Sequence, residues 1–136
     1  MQNYWGVLEV KEFLTVLSRW SDFAGRSSRR EYWMYTLVLV LMSIVLGILD
    51  GVILGEAALS QLLTFGNVFS LATLVPSLSV SVRRLHDIDR SGWWLLLSLT
   101  GVGILLIIYW ACLGSDEHEN RYGAPVPADH VPSTVE

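Results

Sequence analysis

Three long stretches almost free of formal charge constrain the fold of this chain more than any other feature. They run over residues 32–54, 62–82 and 93–113. The first holds one charge, Asp50, near its far end, and the other two hold none. A helix crosses the hydrocarbon core of a bilayer with about 20 mainly apolar residues, and each stretch meets that length. Hydrophobic residues make up 52% of the 136-residue chain and charged residues 16%, where a soluble domain carries about a quarter charged. Too little polar surface remains to cover three such helices in water. The predicted fold is an all-α integral membrane domain over residues 25–113, with three transmembrane helices. The chain length allows one such domain.

The aromatic residues agree with those limits. Tyr32, Trp33 and Tyr35 open the first stretch, Trp93 and Trp94 open the third, and Tyr109 and Trp110 close it. Trp and Tyr favour the membrane–water boundary, where the ring is half wet. Lys11, Arg19, Arg26, Arg29 and Arg30 precede the first span, and Arg83, Arg84 and Arg90 follow the second. The loop over residues 55–61 has no Lys or Arg. The positive-inside rule therefore predicts a cytoplasmic N-terminus and a cytoplasmic 83–92 loop. With three spans, the C-terminus lies outside.

Residues 1–24 read as an amphipathic helix. Val7, Val10, Phe13, Leu14, Leu17 and Trp20 share one face, and Lys11, Glu12, Thr15, Ser18 and Arg19 lie opposite. Such a face lies in the membrane interface or packs on the helical body, and the two are compatible. Residues 1–20 carry Glu9, Lys11, Glu12 and Arg19, which is unlike the apolar core of a cleaved signal peptide. From Gly114 to Glu136 the chain turns polar and contains three of its four prolines. It is expected to be an extended, disordered tail, at least beyond Gly123. Cys112 is the single cysteine, so no intramolecular disulfide forms.

The densest charge falls in VRRLHDIDRSGWW, Val82–Trp94, between the second and third spans. Much of it suits two helix ends. Arg83 and Arg84 sit at the negative end of span two, and Asp87, Asp89 and Ser91 at the positive start of span three, with Asp89 or Ser91 as N-cap. Ser28 and Glu31 have the spacing of a capping box for span one. Span two carries Gly66, Ser70, Thr73, Ser77 and Ser81 on one narrow helical stripe. Small residues so placed let membrane helices approach closely. Pro76 lies off the stripe and removes a backbone donor.

Three segments together are similar to a bacterial family of small inner-membrane proteins catalogued as domain of unknown function 805. They are FAGRSSRREYW (Phe23–Trp33), VPSLSVSVRRLHDIDRSGWW (Val75–Trp94) and ENRYG (Glu119–Gly123). The resemblance extends from Tyr4 to Gly123 and implies a three-span inner-membrane protein with no established activity. The family's Pro-Gly turn ahead of the last segment is replaced here by Leu113-Gly114 and the acidic SDEHE insert.

Three function classes follow. The first is a non-enzymatic membrane protein acting through helix–helix contacts, as a homo-oligomer or with a membrane protein partner. Its Arg26, Arg29, Arg30, Arg83, Arg84 and Arg90 would meet anionic lipid head groups or pair with Glu31, Asp87 and Asp89. The expected pairs are Arg29 or Arg30 with Asp87 or Asp89, and Arg84 with Glu31. The second is an oligomeric transporter or channel lined by the stripe of span two. The third is a membrane enzyme using His86 and Asp87 on lipid head groups. No catalytic nucleophile, metal site or cofactor is expected. Nor is nucleic acid, because there is no broad basic surface.

Overall fold

The computed structural model describes residues 4–55 and 63–126, with side chains described from residue 11 onward. The side chains of Val7 and Val10, Leu62 and the 127–136 part of the tail lie outside what is described. Among the described residues four α-helices form: α1 (Tyr4–Ser18), α2 (Arg29–Leu54), α3 (Phe65–Asp87) and α4 (Val102–Cys112). A 3₁₀ helix, Gly92–Thr100, precedes α4.

Local chemistry sets the ends of the two long helices. Ser28 caps α2 by accepting the Glu31 N–H at 3.1 Å. Gly55 closes it with φ +57°, a conformation that suits a residue without Cβ. Thr64 caps α3 by accepting the Asn67 N–H at 3.2 Å. At about 1.5 Å per residue, α2 and α3 are roughly 39 and 35 Å long, enough to cross a bilayer. Only 6% of the most apolar stretch of α2 and 22% of that of α3 are buried. The core helix of a soluble protein is mostly buried, and these two present their apolar flanks outward.

The stripe of small residues on α3 faces α2. Asp50, near the end of α2, accepts the N–H groups of Phe65 at 2.9 Å and Gly66 at 2.8 Å. A Cβ on Gly66 would sit 3.1 Å from that carboxylate, so the glycine lets it reach the backbone. The Tyr35 hydroxyl shares a 2.9 Å hydrogen bond with Ser77. Thr73 is buried beside it, and Ser81 meets the Tyr32 hydroxyl. Ser70 is exposed and takes no part in this contact.

Residues 93–113 do not form the single continuous span that their composition predicts. The chain reverses at Gly101, where φ is +72°. The rings of Trp94 and Trp110 meet edge to face with centroids 5.4 Å apart, whereas one continuous α-helix would separate the two residues by about 24 Å. A Cβ on Gly103 would lie 1.9 Å from the Leu97 carbonyl oxygen, so the two arms touch backbone to backbone at the tip. Thr100 Oγ1 accepts the Gly103 N–H at 3.2 Å, which satisfies a donor the reversal would otherwise strand. The arms are about 18 Å (3₁₀) and 16 Å (α4) long, each roughly half the hydrocarbon thickness. The segment is a helical hairpin that enters and leaves at the same end of the α2–α3 pair. An apolar length of 20 residues serves one full span or two half-depth arms equally well. Hydropathy therefore does not distinguish them, and the glycines at 101 and 103 do.

The C-terminal segment follows from this reversal. As far as it is described, it lies at the same end as the start of α2 and the end of α3, and not at the opposite end as three spans would require. Its described part, 114–126, is not an extended free tail: Asp116 N–H donates to the Asp87 carbonyl at 3.2 Å, and Asn120 and Gly123 pair backbone to backbone. Their polar backbone finds partners on the helix ends, which composition alone does not reveal.

α1 packs on the body of the molecule. Val16 is fully buried with Tyr35 and Val80, and Phe13 stacks on Tyr35 with ring centroids 5.4 Å apart. Leu17 joins this cluster, while Leu14 and Trp20 are each 54% exposed. The predicted apolar face is thus divided between the core and the outside.

Candidate functional site

The arginines and carboxylates of the two charged segments gather at the end shared by the start of α2, the end of α3 and the exit of α4. Asp87, on the last turn of α3, is fully buried. Its two oxygens are taken by different guanidinium groups: Arg26 Nε donates at 3.0 Å and Arg84 Nη1 at 2.5 Å. A lone carboxylate buried this deeply would cost several kcal/mol or would take up a proton. Two guanidinium groups in contact with it supply the compensating charge.

Each arginine also spends its remaining donors on backbone carbonyls. Arg26 reaches Asp87 O at 3.2 Å, Asp116 O at 2.6 Å, His118 O at 3.0 Å and Gly123 O at 3.1 Å. Arg84 reaches Ala111 O at 3.2 Å and also Leu113 O. The planar five-donor fork of guanidinium suits this use, because one side chain can bind several chain segments in fixed directions. Arg26 therefore ties the loop before α2 to α3 and to the C-terminal segment. Arg84 ties α3 to the end of the hairpin.

A second buried pair lies on the other flank. Arg83 Nη1 donates to Glu31 Oε1 at 3.1 Å. Among the described residues, Arg83 Nε and Nη2 and the Ser27 hydroxyl make no hydrogen bond. Ser79, which the sequence pattern did not single out, is buried and donates to Asp22 O at 2.6 Å, fixing the 19–22 turn on α3. Within that turn, the Arg19 guanidinium beside Asp22 holds its carboxyl below the usual carboxylate range.

These pairings differ from those expected from the sequence. Arg84 binds Asp87 and not Glu31, which belongs to Arg83. Asp89 pairs with Arg121 at 3.0 Å. That arginine holds the Asp89 carboxyl below its ordinary range, and Asp89 raises Arg121 in return. Arg29 makes only a 3.5 Å contact to Cys112 O, and Arg30 stands 3.9 Å from Glu12. Arg90 is exposed, with its guanidinium 4.6 Å from the Trp110 ring centroid. Ser91, and not Asp89, caps the 3₁₀ helix, accepting the Trp93 N–H at 3.4 Å. Asp89 adopts φ +56° in the tight turn between the helices.

His86 is similarly engaged. Its Nδ1 donates to Gly25 O at 3.3 Å, and its ring stacks on Tyr122 with centroids 3.7 Å apart. Asn120 donates to His86 O at 2.9 Å. Asn120, Arg121 and Tyr122 are thus three residues of one site. The similarity of Glu119–Gly123 to the family pattern was the only sequence signal for them. No cluster of three or more His, Cys, Asp or Glu able to hold a metal occurs among the described residues.

Comparison with known proteins places the chain in a family. The pattern described as "Protein of unknown function (DUF805)" matches residues 20–124, a range that takes in every ion pair of the buried cluster. The chain is 40% identical over 113 residues to the inner membrane protein YhaH of Escherichia coli, covering 82% of this chain and 92% of the relative. It is 37% identical over 112 residues to the inner membrane protein YhaI of Escherichia coli, covering 82% and 91%. No solved structure matches the chain.

Proposed function

Because the chain belongs to this family of proteins of unknown function, whose relatives are inner-membrane proteins, we propose a non-enzymatic role for it as a contact module in the membrane. It spans the bilayer twice, inserts a half-depth hairpin from the cytoplasmic side, and meets a second copy or another membrane protein through the open flanks of α2 and α3. The observation that carries this reading is that the fold consumes its chemical groups and leaves its apolar flanks free. Both oxygens of Asp87 are bound by arginine, and the His86 ring is covered by Tyr122. An acid–base pair needs both groups within reach of a substrate, and Asp87 is fully buried. The stripe on α3 is likewise occupied by α2, which weighs against its lining a pore.

The orientation rests on charge. With the hairpin folded back, Lys11, Arg19, Arg26, Arg29, Arg30, Arg83, Arg84, Arg90 and Arg121 all belong to one end, and these are all nine Lys and Arg residues. The positive-inside rule then assigns both termini to the cytoplasm. Arg29, Arg30 and Arg90, left outside the buried cluster, stand where anionic head groups gather.

Two measurements test the reading. A reporter fused after Glu136 distinguishes two spans from three: fluorescence of a cytoplasmic reporter is expected, and activity of a periplasmic phosphatase refutes the topology. A photo-crosslinking residue at Leu41 on α2, compared with one at Leu78 on α3, tests lateral contact. A discrete, stoichiometric protein adduct from one flank is expected; lipid labelling alone from both flanks refutes it.

A further inference from the structure

A cavity of about 480 Å³ opens beside the buried cluster, between the start of α2 and the C-terminal segment. Its polar wall is formed by Ser28, Arg29 and Arg30 on one side and Asp116 and Glu117 on the other. The volume falls in the usual range for small-molecule sites, about 300–1,000 Å³. Two features set it apart from the buried pairs. First, one charge on each wall is available: Arg29 is exposed with a single 3.5 Å contact, to Cys112 O, among the described residues, and Glu117 is exposed and makes no ion pair among them, while Arg30 stands 3.9 Å from Glu12 and Asp116 3.9 Å from His118. Second, an interfacial aromatic stands one helical turn on from its arginines: Trp33, on the α2 turn after Arg29 and Arg30, donates its Nε1–H to Ala111 O at 3.2 Å, and Trp favours the membrane–water boundary.

The charge pattern selects the ligand. Two guanidinium groups face two carboxylates across one space. A purely anionic ligand meets repulsion from Asp116 and Glu117. A cation meets repulsion from Arg29 and Arg30. A ligand carrying a phosphate and an amine a few bonds apart satisfies both walls, with charge-assisted hydrogen bonds at each end. At the depth marked by Trp33, the source of that chemistry is a membrane lipid. We propose that this cavity holds the head group of a zwitterionic aminophospholipid. The phosphodiester lies against Arg29 and Arg30, and the ammonium against Asp116 and Glu117. This goes beyond the contact role above and does not depend on it, since the pocket is built within one chain.

The test uses the full chain in micelles with equal phosphatidylethanolamine and phosphatidylglycerol, read by native mass spectrometry. One phosphatidylethanolamine retained in preference to phosphatidylglycerol is expected. Arg29→Gln is expected to lower its retention about fivefold, the scale of one exposed charge-assisted hydrogen bond. Glu117→Gln is expected to shift the preference toward phosphatidylglycerol, because it removes the ammonium's partner and a repulsive charge together. Both side chains lie outside the buried cluster, so an unchanged melting temperature is the control for folding. Equal retention of the two lipids, or a preference that Glu117→Gln leaves unmoved, overturns the proposal. Displacement of the lipid by free phosphoethanolamine at millimolar concentration overturns the lipid source and assigns the pocket to a soluble phosphoamine.

Discussion

Both ends of the α2–α3 pair bury a carboxylate, and they satisfy it by different means. At the arginine-rich end, Asp87 is held by Arg26 and Arg84, side chains from 61 residues away and from its own helix. At the other end, Asp50 has no cation bonded to it and accepts two backbone N–H groups from the first turn of α3. Helix N-terminal amides carry partial positive charge, so they serve an anion where arginine is absent. No Lys or Arg occurs between Arg30 and Arg83, and the fold turns to the backbone at that end. The first arrangement joins four segments, and the second joins two helix ends.

The largest effect expected from this contrast is at Asp87. Asp87→Asn leaves Arg26 and Arg84 buried beside a neutral amide, and breaking a buried pair in this way costs about 3–5 kcal/mol. Unfolding followed in detergent by circular dichroism measures it. A cost no greater than that of Asp50→Asn would remove the distinction between the ends. The hairpin comes next. Gly103→Ala drives a Cβ into the Leu97 carbonyl and is expected to cost about 1–3 kcal/mol, as overpacking does. Gly47→Ala, with nothing within 4 Å of the new Cβ, is the matched control and should leave stability the same or slightly higher. If both glycines tolerate alanine, the two arms do not touch.

Asp50→Asn retains an acceptor but loses the charge that the α3 amides favour. The expected cost is about 1 kcal/mol, the scale of a helix cap. The smallest effect lies at the exposed Asp89–Arg121 pair. Because the folded Asp89 carboxyl is held low, its contribution is complete above the unfolded value of about 3.9 and disappears as pH falls through the lower folded value. The protection of the amides of residues 119–123, corrected for the intrinsic pH dependence of exchange, should therefore be unchanged between pH 5 and 7 and should fall only in stronger acid. Loss of protection already at pH 5 would identify a different latch, and Asp89→Asn should then have no effect on it.

Several features were legible along the chain. Uncharged length marked α2 and α3. Ser28, Thr64 and Gly55 occupy helix ends whose chemistry is local, and Ser28 was recognised from its spacing to Glu31. Phe23–Trp33, Val75–Trp94 and Glu119–Gly123 identified the family, and the same segments supply Arg26, Asp87 and Tyr122 to one site. Pairing within that site was not legible. Arg26 and Asp87 are 61 residues apart, and nothing in their spacing prefers Arg26 to Arg29 or Arg30. Asp50 appeared only as a stray charge near a span end, because its partners are backbone amides and amides carry no sequence signal.

The sequence by itself determined that this is a helical membrane protein, which segments are apolar enough to enter the bilayer, and where every Lys and Arg falls between them. These are properties of residues and their near neighbours, since hydropathy and capping act over a few turns. The tertiary structure alone decided that residues 92–112 turn back at Gly101 and that Arg26 and Arg84 converge on Asp87. It also decided that the C-terminal segment closes over the start of α2. Each of these depends on the cost of leaving a charge or a backbone polar group buried without a partner, and that cost exists only once distant segments exclude water from the same place.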